Sequence, residues 1–135
     1  MDKVKTVSFP KYIDEVDSLC VYESGLQVPF LVERVFSVSA RKGSIRGQHA
    51  HKKCAQLLVC LAKSIRVSWD DGVSVGSCVL DDPGAGLLVP PGFWGCQEYL
   101  EDGALLMVLC DRPYVAEDYI RDYGEFKIYV QGDVR

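Results

Sequence analysis

Apolar and polar residues alternate with a period of two along much of the chain, and glycine, proline or aspartate interrupts the alternation at short intervals. Val4–Phe9 therefore reads as a strand, as does Leu19–Glu23, which Ser24-Gly25 ends. Phe30–Ser39 is rich in β-branched and aromatic residues and stops at Lys42-Gly43. Gln56–Leu61 is an apolar run of buried-strand length, and Ser64–Trp69 alternates again. Asp70-Asp71-Gly72 separates that segment from Val73–Leu80, and Asp-Gly supplies the positive φ of a tight hairpin turn. Turns are predicted at Asp81–Gly84 and Pro90–Gly92. A short strand over Gly86–Val89 lies between them, and a buried strand follows over Gly103–Cys110. Only Ala116–Tyr123 looks helical, with Glu117, Asp118, Arg121 and Asp122 on its polar side. Lys127–Val130 predicts a last strand. Many short strands joined by regular turns imply an all-β sandwich or barrel.

Composition narrows the class. A chain of 135 residues predicts one domain over residues 1–135, too short for a two-lobed nucleotide enzyme. The net charge of −4 argues against a broad nucleic-acid footprint. No apolar run reaches the ~18 residues of a membrane span, so no membrane partner is expected. Met1–Pro10 lacks the apolar stretch of a secretory signal. The six cysteines then read as reduced thiols rather than a disulfide frame: Cys60 and Cys110 lie inside apolar runs, and no CxxC pair occurs. A cytoplasmic location follows.

The chemistry concentrates between Arg41 and Lys53. The chain has only two histidines, His49 and His51, at positions i and i+2. On a strand that spacing points both rings to one face, where they can begin a metal site or form an acid/base pair. Arg41, Arg46, Lys52 and Lys53 surround them in an otherwise acidic protein, which suits an anionic ligand. Arg46, three residues before His49, is the stronger candidate for gripping a phosphate.

Gly43, five residues, then His49-Ala50-His51 resembles the first motif of the cupin family. Gly84, five residues, then Pro90-Pro91-Gly92 resembles the start of the second. Two half-motifs in order on a β background imply a cupin-type jelly-roll β-barrel with one short C-terminal helix. A metal-binding cupin adds a Glu and a third His. Their positions here hold Gln56 and Gly95. Two protein ligands are too few for a tight site, so no metal and no other cofactor are expected, and the histidines are read as proton carriers.

More of the chain resembles the nucleotide-sugar 3,4-ketoisomerases, metal-independent cupins of the WxcM-like group acting on dTDP-4-keto-6-deoxyglucose. The similar segments include Pro29–Val35, Arg46-Gly-Gln-His-Ala-His-Lys-Lys53, Asp70-Asp-Gly72, Trp94, Leu105–Leu109 and Glu117–Phe126. The resemblance implies a homodimer, a dTDP-sugar substrate and a role in deoxy-amino-sugar biosynthesis. It puts the family's two histidines on His49, expected to exchange the carbon proton, and His51, expected to shuttle protons at the sugar oxygens. Arg41 and Arg46 become candidates for the diphosphate or the sugar, Trp94 and Tyr99 for flanking the sugar or base. Two departures, Ser37 where family members often have an aromatic and Gly95 beside Trp94, are expected to border the pocket. Three other readings stay open: a non-catalytic sugar-nucleotide-binding cupin, a metal cupin, and a sugar-nucleotide epimerase. The last usually needs a His–Asp dyad, and local spacing places no Asp beside either histidine.

Overall fold

The computed structural model describes residues 3–132. Its strands are β1 (Lys5–Ser8), β2 (Lys11–Asp14), β3 (Asp17–Cys20), β4 (Arg34–Ala40), β5 (Ile45–His51), β6 (Gln56–Ala62), β7 (Ile65–Asp70), β8 (Val75–Leu80), β9 (Ala85–Val89), β10 (Trp94–Tyr99), β11 (Ala104–Cys110) and β12 (Tyr119–Ile120). A 3-10 turn spans Ala116–Asp118, and one helix, α1, spans Tyr123–Gly132.

Two five-stranded antiparallel sheets run in the orders β1-β9-β6-β11-β4 and β12-β5-β10-β7-β8, and β2-β3 forms a separate hairpin. The inner faces share one core: Leu58 and Cys60 of β6, Leu87 of β9 and Leu106 and Val108 of β11 meet Ile65 and Val67 of β7, Leu80 of β8 and Tyr99 of β10. This is the jelly-roll arrangement that the alternation and the half-motifs imply. The outer face of the first sheet is covered by Val28, Phe30 and Val32, packed with Leu57, Val59 and Leu88. That second apolar layer explains why β6 reads as continuously apolar rather than alternating.

The predicted Asp70–Gly72 turn does join a hairpin, with Ile65 opposite Leu80 and Asp70 opposite Val75. The Asp70 carboxylate accepts the Gly72 N–H and the Asp71 carboxylate accepts those of Val73 and Ser74, fixing the turn. The C-terminal region differs from expectation. Ala116–Ile120 is a 3-10 turn and a two-residue strand, and the predicted strand at Lys127–Val130 lies inside α1. The reason is tertiary. Phe126 and Val130, one helical turn apart, bury their side chains against Ala50 and Ile120, with Trp94 alongside. Lys127 Nζ donates to the Gly72 carbonyl, tying the helix to the β7–β8 turn. Strands Trp94–Tyr99 and β2 were not anticipated, and the strand expected over Leu19–Glu23 is found earlier, as β3; polar and glycine residues mask the alternation in the first, and both hairpin strands are short and exposed.

Candidate active site

The site is built on β5. Ala50 faces outward under α1, so period two turns His49 and His51 inward, as their spacing predicts. A bulge adjusts their aim. Gly95 of β10 pairs with His49, but the next residue, Cys96, pairs with Gly47, leaving Gln48 as the extra residue. Gly47 and Gln48 both have positive φ, 86° and 54°, the local signature of a bulge that redirects a side chain. The Gly47 carbonyl thereby accepts a hydrogen bond from His49 Nδ1 at 3.0 Å.

His51 has a different partner. Its Nδ1–H donates to Asp118 Oδ2 at 2.9 Å. Asp118 also accepts the backbone N–H of Lys53 at 2.6 Å and of Cys54 at 3.3 Å. The pairing of β12 with β5, Tyr119 opposite His51 and Ile120 opposite Ala50, carries Asp118 to this place. The two imidazole rings lie perpendicular, centroids 5.1 Å apart, and Tyr119 packs 4.3 Å from His51 and 5.1 Å from His49.

These surroundings set the protonation states. Burial, the neighbouring His51 and Arg121 push His49 down to about 4, against the opposing pull of the Gly47 carbonyl. Burial also lowers His51, although Asp118 pulls the other way. Burial works against the Asp118 carboxylate, but the hydrogen bonds from His51, Lys53 and Cys54 outweigh it and hold its pKa below the usual range. At neutral pH the site therefore holds two neutral imidazoles and one carboxylate. Each ring donates from Nδ1, so each offers an Nε2 lone pair.

Two adjoining cavities meet at His49. The smaller, about 20 Å³, is lined by His49, His51, Cys54, Gln56, Trp69 and Gly95 among others. The larger, about 280 Å³, is bounded by Arg34, Arg46, His49, Tyr114, Tyr119 and Arg121, with Phe36, Val38, Leu106 and Val108 as its apolar wall. Three guanidinium groups thus ring a cavity that has His49 in its wall, next to the smaller cavity that both histidines line. Arg34 donates to the Tyr119 hydroxyl at 3.2 Å and lies over the rings of Phe36 and Tyr114, while Arg121 stacks 4.3 Å above Tyr119. Cation–π contacts orient the guanidiniums without using all their N–H donors, leaving hydrogen bonds for an anion.

The expected site residues divide sharply. His49, His51 and Arg46 come together. Arg41 lies exposed in the β4–β5 turn, outside both cavities. Ser37 is exposed on the outer face of β4, because the alternation turns Arg34, Phe36 and Val38 inward instead. Trp94 stands opposite Asp70 on β10, on the face that α1 covers, stacked on Tyr123 and Phe126. It lines a third cavity, with Trp69, Asp70, Cys96 and Tyr123. Tyr99 points inward but is fully buried in the core, outside both site cavities. Gly95 does border the smaller cavity, where a Cβ would approach nothing closer than 3.9 Å. Arg34, Tyr114, Asp118, Tyr119 and Arg121 were missed. The strand alternation that turned Ser37 outward was the available signal for Arg34.

The donor set does not fit a cupin metal. Gln56 and Gly95 stand where a carboxylate and an imidazole would be needed. His51, Cys54 and Asp118 bring ligand atoms within 4.8 Å of one another. However, both Asp118 oxygens are committed to N–H donors, and the Cys54 thiol, pushed up by its contact with Cys110 and by burial, keeps its proton.

Fold and site together define a small cupin jelly roll with a pair of imidazoles beside a cavity lined by three arginines. The chain belongs to the WxcM-like, C-terminal family (FdtA), which it matches over residues 2–131. It is 41% identical over 127 residues to the TDP-4-oxo-6-deoxy-α-D-glucose-3,4-oxoisomerase of Aneurinibacillus thermoaerophilus, covering 93% of this chain and 91% of that protein. Among solved structures it superposes with a TM-score of 0.92 on a histidine-to-asparagine mutant of the 3,4-ketoisomerase QdtA from Thermoanaerobacterium thermosaccharolyticum in complex with TDP-4-keto-6-deoxyglucose, at 28% identity over 96% of this chain and 95% of that one. A 3,4-ketoisomerase from Helicobacter canadensis gives 0.91 at 30% identity, covering 97% and 99%.

Proposed function

We propose that the protein is a sugar 3,4-ketoisomerase that converts dTDP-4-keto-6-deoxyglucose into a dTDP-3-keto-6-deoxyhexose in deoxy-amino-sugar biosynthesis. The observation that carries this reading is the pair of unprotonated imidazoles of which His49 opens onto a cavity ringed by Arg34, Arg46 and Arg121 and His51 lines the small cavity beside it. That arrangement matches a substrate with a dianionic diphosphate and a sugar carbonyl that needs proton transfers at adjacent atoms.

In this reading the guanidiniums of Arg34, Arg46 and Arg121 grip the diphosphate, and the sugar reaches His49. His49 Nε2 removes the C3 proton, acidified by the C4 carbonyl. The enediol takes a proton at C4 from the His49 imidazolium, and His51 moves protons between O3 and O4. The C4 carbonyl becomes a hydroxyl-bearing carbon and C3 the carbonyl, so atoms and electrons balance within the substrate. The Gly47 carbonyl supports His49 through Nδ1. Diphosphate charge at Arg121 offsets one of the influences that depress this base, so substrate binding strengthens it. The chemistry needs no metal, and the protein is taken to act as a cytoplasmic homodimer of single-domain subunits.

The His51–Asp118 dyad removes one argument against a sugar-nucleotide epimerase, because such a dyad does exist. Incubation with dTDP-4-keto-6-deoxyglucose in D₂O separates the readings. A 3-keto product is expected, with deuterium at C4 in proportion to exchange of the His49 imidazolium with solvent. Deuterium at C3 and C5 with the 4-keto group retained would establish the epimerase, and tight binding without exchange a binding protein. His49→Asn is expected to lower turnover by ~10²–10⁴-fold while dTDP binding measured by calorimetry persists.

A further inference from the structure

Asp118 is nine per cent exposed and lies in no strand, yet its carboxylate is fixed from three directions. Lys53 N–H donates to its Oδ1, while Cys54 N–H and His51 Nδ1–H converge on its Oδ2. Its own carbonyl accepts the Lys52 N–H at 2.9 Å. The His51 backbone is clamped as well, its carbonyl accepting the Gly92 N–H at 2.8 Å. Among the described residues, His51 Nε2 is a buried nitrogen with no hydrogen-bond partner, and His51 lines the smaller cavity.

We propose that Asp118 is a positioning residue that locks His51 in the Nδ1–H tautomer and so keeps the Nε2 lone pair turned to the reacting sugar. The proposal rests on the reading of His51 as the group that handles protons at the sugar oxygens. A carboxylate has no proton to give, so His51 Nδ1 must be the donor. The remaining nitrogen is then an acceptor for a hydroxyl proton. Once it accepts, the imidazolium sits beside a negative charge. His49 has only a neutral carbonyl at its Nδ1, so the same side chain is a different acid at each of the two positions. His51 returns its proton to the other oxygen, and Asp118 remains ionised throughout.

Asp118→Asn tests this, because an amide can keep only one of the two oxygen positions. The Lys53 N–H contact at 2.6 Å is much shorter than the 3.3 Å Cys54 N–H contact on the other oxygen, so the amide oxygen is expected to stay with Lys53 and the weaker Cys54 bond to be given up. The NH₂ group then faces His51 Nδ1. That forces Nδ1 to accept and moves the ring proton to Nε2, the wrong tautomer for receiving a hydroxyl proton.

Long-range ¹H–¹⁵N spectra of the histidine side chains are the deciding measurement. The wild-type protein is expected to show His51 as Nδ1–H and the Asp118→Asn protein as Nε2–H. Turnover of the variant is expected to fall on the order of 10²-fold with KM little changed. Combining Asp118→Asn with His51→Asn should add little to the loss caused by His51→Asn alone. A purely structural Asp118 would instead give additive losses and an unchanged tautomer. An Nε2–H signal for His51 in the wild-type spectrum overturns the proposal even if the variant does not fold. A flipped tautomer with undiminished turnover leaves the lock in place but removes its catalytic consequence, and it is the oxygen-shuttle reading of His51 that then fails.

Discussion

Gly47→Ala probes the link between the β5 bulge and the base it supports. At φ 86° an L-residue meets the left-handed penalty, which costs about 1–2 kcal/mol. A Cβ at this position would also lie 2.8 Å from Gln97 Oε1 and 3.0 Å from Nε2. That overlap is with the far end of a flexible side chain, so moving it costs only about 0.5–1 kcal/mol. The backbone therefore dominates, and the sum is about 2 kcal/mol. Gly43→Ala is the internal control. It has nearly the same φ, 87°, but nothing lies within 4 Å of its would-be Cβ. It should show the backbone cost alone and leave turnover intact. For a domain of this size the expected fall in Tm for Gly47→Ala is about 6–10 °C by calorimetry, slightly more than for Gly43→Ala. The two differ in activity. Relief of strain at Gly47 moves the carbonyl that holds His49 Nδ1, so turnover should drop on the order of 10–100-fold. A Gly47→Ala protein as active as Gly43→Ala would refute the idea that the bulge aims His49, whatever its Tm.

The low pKa of His49 has a consequence for stability. Its folded value, about 4, lies below the ordinary 6.5, so the unfolded chain binds the proton first. The stability present above pH 6.5 is therefore lost as the pH falls through 6.5 towards about 4. Urea midpoints for wild type and His49→Gln across that window should converge with falling pH. Parallel curves would show that the ring is not buried as described. Phe126→Ala removes a fully buried ring that joins α1 to Ala50 on β5. It should destabilise by about 3–5 kcal/mol in equilibrium unfolding, whereas Ile128→Ala, at an exposed position on the same helix, should change little.

How much of this was legible beforehand depended on the distance over which each feature is encoded. The His49-x-His51 spacing, the Asp70–Gly72 turn and most strands are local patterns, and the chain displays them directly. Missing were features created by pairing. His51 and Asp118 are 67 residues apart, and Asp118 sat on the polar side of what read as a helix. A two-residue strand cannot announce itself by periodicity, yet the pairing of Tyr119 with His51 delivers the dyad. Trp94 and Tyr99 show the converse error. Aromatic residues beside a turn are plausible walls for a sugar, but whether they face the cavity depends on the parity of β10 and on where along the barrel they fall. Trp94 has the wrong parity, and Tyr99 the right parity at a position sealed in the core.

The same reasoning explains why the basic residues were only partly found. Arg41 and Arg46 were chosen for nearness in sequence to the histidines, and of the two only Arg46 lines the cavity, because a pocket of this kind is assembled from strands that neighbour one another in the sheets. Arg34 enters from β4, Arg46 from β5, and Arg121 from just beyond β12, which pairs with β5. None of the three is paired with a carboxylate among the described residues, although the chain carries a net charge of −4. Asp118, three residues before Arg121, is turned towards His51 and backbone N–H groups. Three unneutralised guanidiniums facing one cavity are unfavourable for the empty protein, and a bound dianion relieves that repulsion. In the proposed function, the arrangement thus gives up some stability in the free state in return for affinity and for a stronger base at His49 once the substrate is bound.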